Sequence, residues 1–193
     1  ILYTAADATF ALPSQVCAGS PIGVSASMAG LGSWTANGQP LVVSGGSYPA
    51  SLTSVPGTVE VQHTVSIGGC SDTAIAALEV SPLPVAGIAG PDLACAGEPV
   101  VWTDNSVNPT ASALNKTWMP MYAGAPSPSS GVLYDFGSPV PGDYGMALAV
   151  TTAAGCSDTL EASLFVGATP DAAFALDAVC AGAPVPVTLS DPA

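Results

Sequence analysis

Five cysteines, one histidine and two Asp-Thr pairs are the residues of this 193-residue chain best suited to chemistry, and their spacing decides what kind. Catalysis through His63 needs a nucleophile and an orienting carboxylate within hydrogen-bond reach. No Gly-x-Ser-x-Gly elbow, zinc-ligand pattern or phosphate loop accompanies it anywhere in the chain. The cysteines at 17, 70, 95, 156 and 180 form no Cys-x-x-Cys unit and have no second histidine to share a metal with. They read as a disulfide framework, so neither an enzyme nor a bound metal or cofactor is expected.

The cysteines recur in step with their neighbours. Val16-Cys17-Ala18-Gly19-Ser20-Pro21-Ile22 returns as Ala94-Cys95-Ala96-Gly97-Glu98-Pro99-Val100 and as Val179-Cys180-Ala181-Gly182-Ala183-Pro184-Val185. Gly69-Cys70-Ser71-Asp72-Thr73 returns as Gly155-Cys156-Ser157-Asp158-Thr159. A period of about 80 residues is the size of an immunoglobulin-like domain, so each copy should carry its own core. The division that follows is an upstream repeat's tail over 1–4, a first repeat over 5–82, a second over 83–168, and the start of a third over 169–193.

The elements that must position these residues are strands. Pro56-Gly57 and Pro141-Gly142 each open a run with period two. The runs place Val59, Val61, His63 and Val65 on one face, and Tyr144, Met146, Leu148 and Val150 on its counterpart. That face is the expected core. His63 is matched by Leu148, which suits a packing role and not a catalytic one. After each closing cysteine comes a last strand, Thr73 to Val80 or Thr159 to Val166. With 21 Gly and 19 Pro between short apolar runs, the class is all-β, with sandwich domains arranged end to end.

Charge narrows the partners. Fourteen carboxylates face a single basic side chain, Lys116, for a formal net charge of -13. Nucleic acid is excluded, because phosphate binding draws on Lys and Arg, and an anionic membrane would repel the chain. Glu79, Pro82 and Pro84 interrupt the longest apolar stretch, so no direct membrane insertion is expected. Trypsin-like proteases find only Lys116 to cut.

Taken together, the Cys-x-Gly-x-Pro-Val opening, the Pro-Gly-x-Tyr strand at Pro141 to Tyr144 and the Gly-Cys-Ser-Asp-Thr close resemble the PKD-like, immunoglobulin-fold repeats of very large secreted Bacteroidota proteins. These include gliding-motility-associated adhesins exported by the type IX system. The family's central Trp-Asp-Phe-Gly-Asp-Gly element survives only as its Trp, at Trp34 and Trp118, so no metal is carried over. Tyr134-Asp135-Phe136-Gly137 is similar to it but falls where the strand before the Pro-Gly turn belongs. The resemblance implies an extracellular, non-catalytic stalk or filament segment; the alternatives are a glycan- or protein-binding module and spacer domains of a secreted multidomain enzyme. Its partners would be other domains of the same chain, like chains in a filament, or surface glycans.

Asp72-Thr73-Ala74 and Asp158-Thr159-Leu160 are similar to the Asp-Ser/Thr-apolar acceptor of exported Bacteroidota glycoproteins, which makes Thr73 and Thr159 candidate O-glycan sites; the alternative is that Asp caps the turn. Trp34 and Trp118 belong to the cores. Trp102 follows Val100 and Val101 on a strand whose inward phase is open, which makes it the candidate ligand contact, and the Asn105 to Ser130 stretch is the candidate recognition loop. The expected disulfides join Cys17 to Cys70 and Cys95 to Cys156, each worth about 4 kcal/mol in the chain-entropy model, with Cys180 paired outside the segment. Two alternatives stay open. Cys70–Cys95 and Cys156–Cys180 have more uniform spacing, and free buried thiols are the plainest reading. Sandwich topology argues against the cross-junction pairs. It strains the within-repeat pairs too, since the two motifs approach opposite poles.

Overall fold

The computed structural model describes residues 5–28, 30–44, 46–170, 173–176, 181, 182, 184 and 187–190. The expected tail over 1–4 and the third opening motif's Cys180 lie outside these.

The first unit has seven strands: β1 (Phe10–Ala11), β2 (Gln15–Cys17), β3 (Ser25–Ala26), β4 (Ser33–Ala36), β5 (Gln39–Leu41), β6 (Gly57–Ile67) and β7 (Cys70–Ser81). Five of them form one sheet in the order β2-β7-β6-β4-β5, and β1 pairs with β3 opposite. A single 3-10 turn, Ala50–Thr53, takes the place of further strand on that side. In the second unit, β8 (Ile88–Ala89), β9 (Leu93–Cys95), β10 (Val100–Asp104), β11 (Asn115–Pro120), β12 (Leu133–Gly137), β13 (Gly142–Thr151) and β14 (Ser157–Gly167) make two sheets. Their orders are β12-β10-β8 and β11-β13-β14-β9. Beyond them, β15 (Ala173–Leu176) pairs antiparallel with β16 (Val187–Ser190). This is a tandem immunoglobulin-like sandwich, with antiparallel sheets face to face and one short parallel pair in each unit.

Alternation makes the long hairpins. In β6, Val61, His63 and Val65 are fully buried while Gln62 and Thr64 sit at the margin, and in β13 Met146, Leu148 and Val150 are fully buried with the small Ala147 buried between them. Each unit has its own core. The second packs Val100, Trp102 and Tyr134 from one sheet against Trp118, Met146, Leu148 and Leu164 from the other. The first gathers Ile22, Trp34, Tyr48, Leu52, Val61 and Leu78. At the Pro-Gly corner, the Tyr144 hydroxyl donates to the Val140 carbonyl at 2.9 Å, the corner bond typical of this fold. Tyr134-Asp135-Phe136-Gly137 is strand β12, ahead of that corner.

Two sequence expectations need correction. Asn105 to Ser130 is not one recognition loop, because β11 runs through it and pairs along β13 from Asn115–Thr151 to Pro120–Met146. Trp102 is not an open face: it is 2% exposed, its indole N–H donates to the Pro91 carbonyl at 2.9 Å, and its ring lies over Gly90. The strand Val100-Val101-Trp102 alternates inward, outward, inward, which takes the ring into the core.

A Cβ at Gly90 would overlap the Trp102 indole. Gly90→Ala should therefore destabilise the second unit by about 1–3 kcal/mol, read as a lower urea midpoint. An unchanged midpoint would mean the ring does not sit on that glycine.

Candidate functional site

The opening and closing cysteines of one repeat lie at opposite ends of its last strand. Cys70 is the first residue of β7, while Cys17 pairs in parallel beside Ser81, the last. Eleven steps of strand separate them, about 36 Å at roughly 3.3 Å per residue, whereas a disulfide needs Cα atoms within about 7 Å. Cys95 stands beside Gly167 at the end of β14, and Cys156 precedes its start. Neither expected pair, Cys17–Cys70 or Cys95–Cys156, is formed, and neither is Cys70–Cys95. Instead Cys17 is bonded to Cys156, with their Cα atoms 5.5 Å apart, while Cys70 and Cys95 are exposed thiols.

The bond crosses between units because the ends that meet are the right ones. The first unit finishes at the pole where β2 and β7 end, and the second receives the chain at the pole of its β13–β14 hairpin. That hairpin is closed by Thr152, whose backbone N–H donates to the Cys156 carbonyl at 2.8 Å and whose hydroxyl accepts from the Cys156 N–H at 3.2 Å. Cys156 is 1% exposed. Gln15, Ser81 and Pro82 of the first unit and Thr152, Ala153 and Ala154 of the second line one cleft of about 420 Å³ at the joint.

The linker is pinned as well. Between Ser81 and Ala86 run Pro82-Leu83-Pro84-Val85, whose prolines fix two φ angles. Val85 exchanges two backbone hydrogen bonds with Val107, at 2.9 and 2.8 Å. The Ala86 N–H donates to Asp158 Oδ2 at 2.8 Å, and in the first unit the Ala8 N–H donates to Asp72 Oδ2 at the same distance. The motif aspartates therefore tie the incoming strand to the hairpin pole, a long-range bond and not a local turn cap. Thr73 and Thr159 are exposed beside them, and Thr73 shares a 3.2 Å contact with the Thr64 hydroxyl.

His63 is fully buried between two carbonyls, with Nδ1 3.0 Å from Ala8 O and Nε2 2.9 Å from Leu31 O. It stacks on Trp34 at 3.8 Å, and Phe10 and Tyr48 meet that indole edge-on. Both ring nitrogens face backbone carbonyls, to which an imidazole N–H donates, so the residue is a structural tie. Burial pushes the Tyr48 phenol up to about 12 and raises that of Tyr134 further. Among the described residues no three His, Cys, Asp or Glu side chains gather as metal ligands, and no helix is long and apolar enough to cross a membrane.

The lone cation is spent inside the second unit. Lys116 on the edge strand β11 pairs with Asp104 on β10, the middle strand of the facing sheet, and the Asp104 side chain is only 4% exposed. Burial, the largest single influence, pushes the Asp104 carboxyl up, but hydrogen bonds from Lys116 and Ser106 and the Lys116 charge together hold it below its ordinary value.

The cysteine pairing was open to a sequence-only argument only through strand direction. A parallel first-to-last strand pair sends the two motifs to opposite poles, so the closing cysteine of one repeat meets the opening cysteine of the repeat before it. A second signal is Asp7-Ala8-Thr9-Phe10-Ala11-Leu12, which returns as Asp171-Ala172-Ala173-Phe174-Ala175-Leu176 and marks the incoming strand that the motif aspartate holds.

No protein-family profile matches the chain, and no curated protein matches it. Among solved structures, it is similar to the fibronectin(III)-like modules of Clostridium thermocellum CbhA, at 12% identity over 83% of this chain and 94% of that one, with a TM-score of 0.40. Extracellular domains 3–5 of Drosophila OTK are 11% identical over 79% of this chain and 58% of that one, TM-score 0.44. Bacteroides ovatus SGBP-B of the mixed-linkage glucan utilization locus, solved with a mixed-linkage heptasaccharide, is 13% identical over 95% of this chain and 50% of its own, TM-score 0.29. The chain thus spans 58% and 50% of the length of the last two.

A depressed carboxyl stabilises the fold above its unfolded-state value and loses that contribution as pH falls through the folded one. Lys116→Met leaves Asp104 buried without its cation, so it should cost about 1–3 kcal/mol at pH 7. The deficit should begin to shrink as pH drops below about 4, the ordinary carboxylate value, and close as it passes the lower value that Asp104 has in the fold. Urea unfolding of both proteins at the two pH values checks this, and a deficit that does not change with pH contradicts it.

Proposed function

We propose that this segment is a tension-bearing, non-catalytic stalk of a large secreted surface adhesin, in which consecutive sandwiches are locked end to end. The observation that carries the reading is the Cys17–Cys156 bond, whose partners are 139 residues apart in sequence. Pulling on the two ends loads the disulfide, so the residues between Cys17 and Cys156 are shielded from extension. The bond also stabilises the folded state by about 5 kcal/mol in the chain-entropy model.

Disulfides persist in oxidising compartments, so the Cys17–Cys156 bond supports an extracellular location. The net charge of -13, with its single Lys116 engaged by Asp104, favours soluble chains that repel one another. Assignment to the type IX-exported adhesins of Bacteroidota rests on the motif resemblance. The glycan-binding alternative loses its aromatic platform, since Trp34, Trp102 and Trp118 all lie in the cores.

Single-molecule stretching of the oxidised chain by its ends tests the reading. Reductant should release about 490 Å of extra contour length, from the 139-residue separation of the bonded cysteines at roughly 3.5 Å per residue. Cys17→Ser should show that length without reductant. Equal extension with and without reductant contradicts the stalk.

A further inference from the structure

We infer that Cys70 and Cys95 are the two open halves of the same junction bond, so that the staple repeats along the chain. Cys95 takes the closing cysteine of the repeat that follows, and Cys70 takes the opening cysteine of the repeat before. This rests on the stalk reading and names the partner of each free thiol.

The equivalence is geometric. Cys17 and Cys95 each end a short strand paired in parallel with the last residues of the final strand, opposite Ser81 and Gly167. The next residues bond alike: Ala18 N–H to Ser81 O at 2.8 Å, and Ala96 N–H to Gly167 O at 2.9 Å. The following glycines share a left-handed turn, φ 78° at Gly19 and 85° at Gly97. Cys95 is thus held as Cys17 is, yet it is exposed where Cys17 is bonded. The same holds at the other pole. Cys70 and Cys156 both sit two residues before an aspartate that ties the incoming strand, Asp72 to Ala8 and Asp158 to Ala86.

A second observation concerns the surface around Cys95. Gln15 and Glu79 form a register pair beside Cys17, and both line the cleft shared with the second unit. Their counterparts in the second unit are Leu93 and Phe165, again a register pair, 67% and 52% exposed. Two large apolar side chains beside an exposed thiol, at the place where the first unit receives its neighbour, suit the hairpin pole of another repeat. The opening motif recurs a third time at Val179-Cys180-Ala181-Gly182, and β15 pairs with β16 in that part of the chain.

Bond formation removes two electrons and two protons from the pair of thiols. The oxidant is a donor disulfide of the secretory compartment, which leaves as two thiols after a mixed-disulfide step. The loop closed through Cys95 would overlap the loop closed by Cys17 and Cys156.

The test uses the whole secreted chain that carries this segment, with free thiols capped by iodoacetamide, digested by pepsin without reduction, and mapped by mass spectrometry. Expected are a Cys95 peptide linked to the closing-motif peptide of the next repeat, a Cys70 peptide linked to the preceding opening motif, and loss of the capped form of both. Cys95→Ser should leave the next closing cysteine capped while the Cys17–Cys156 peptide persists. Capped Cys70 and Cys95, a Cys70–Cys95 peptide, or reductant-sensitive ladders of chains would each overturn the inference. If Cys17–Cys156 is found while Cys95 is capped, only this inference fails; if Cys17–Cys156 is missing, the stalk reading fails with it.

Discussion

The direction of one three-residue strand governs the rest of the molecule. Because β2 runs parallel to the end of β7, and β9 to the end of β14, each opening cysteine is delivered to the pole where its own unit stops. The closing cysteine stands at the pole where a unit receives the chain. A covalent bond between these motifs can then form only across a joint. Two prolines in the linker and the Asp158–Ala86 bond hold the entering strand in place, so the joint is fixed by backbone as well as by sulfur.

The two units solve the same packing problem with different means. The second has two real sheets, and its core closes through Trp102 and Tyr134 on one side and Trp118, Met146 and Leu148 on the other. The first sets a five-stranded sheet against a two-residue pairing and a 3-10 turn. An aromatic group fills the gap, with Trp34 between Phe10, Tyr48 and His63, and the His63 ring bridges Ala8 and Leu31. Leu148 does none of this bridging in the sister unit, which has a fuller opposing sheet to pack against. The one histidine is therefore a repair to a thin wall.

Period-two alternation made β6 and β13 legible, since burying one face of a strand forces every second residue to be apolar. The repeat itself, the all-β class and the burial of Trp34 and Trp118 were legible for the same reason. Trp102 was not, because a short strand of Val-Val-Trp reads equally well in either phase until its partners are known. Asn105 to Ser130 hid β11 because Pro120 closes it and few apolar residues mark it. The cysteine pairing was hidden for a deeper reason: motif spacing shows which cysteines are equivalent, and only strand direction shows which ones meet.

The most direct measurement is a sulfur anomalous difference map from crystals of the 193-residue chain grown without reductant. Continuous density between the sulfur peaks of Cys17 and Cys156, with Cys70 and Cys95 as single peaks, is the predicted result. Sulfur pairs at Cys17–Cys70 and Cys95–Cys156 would return each bond to its own unit and remove the covalent joint.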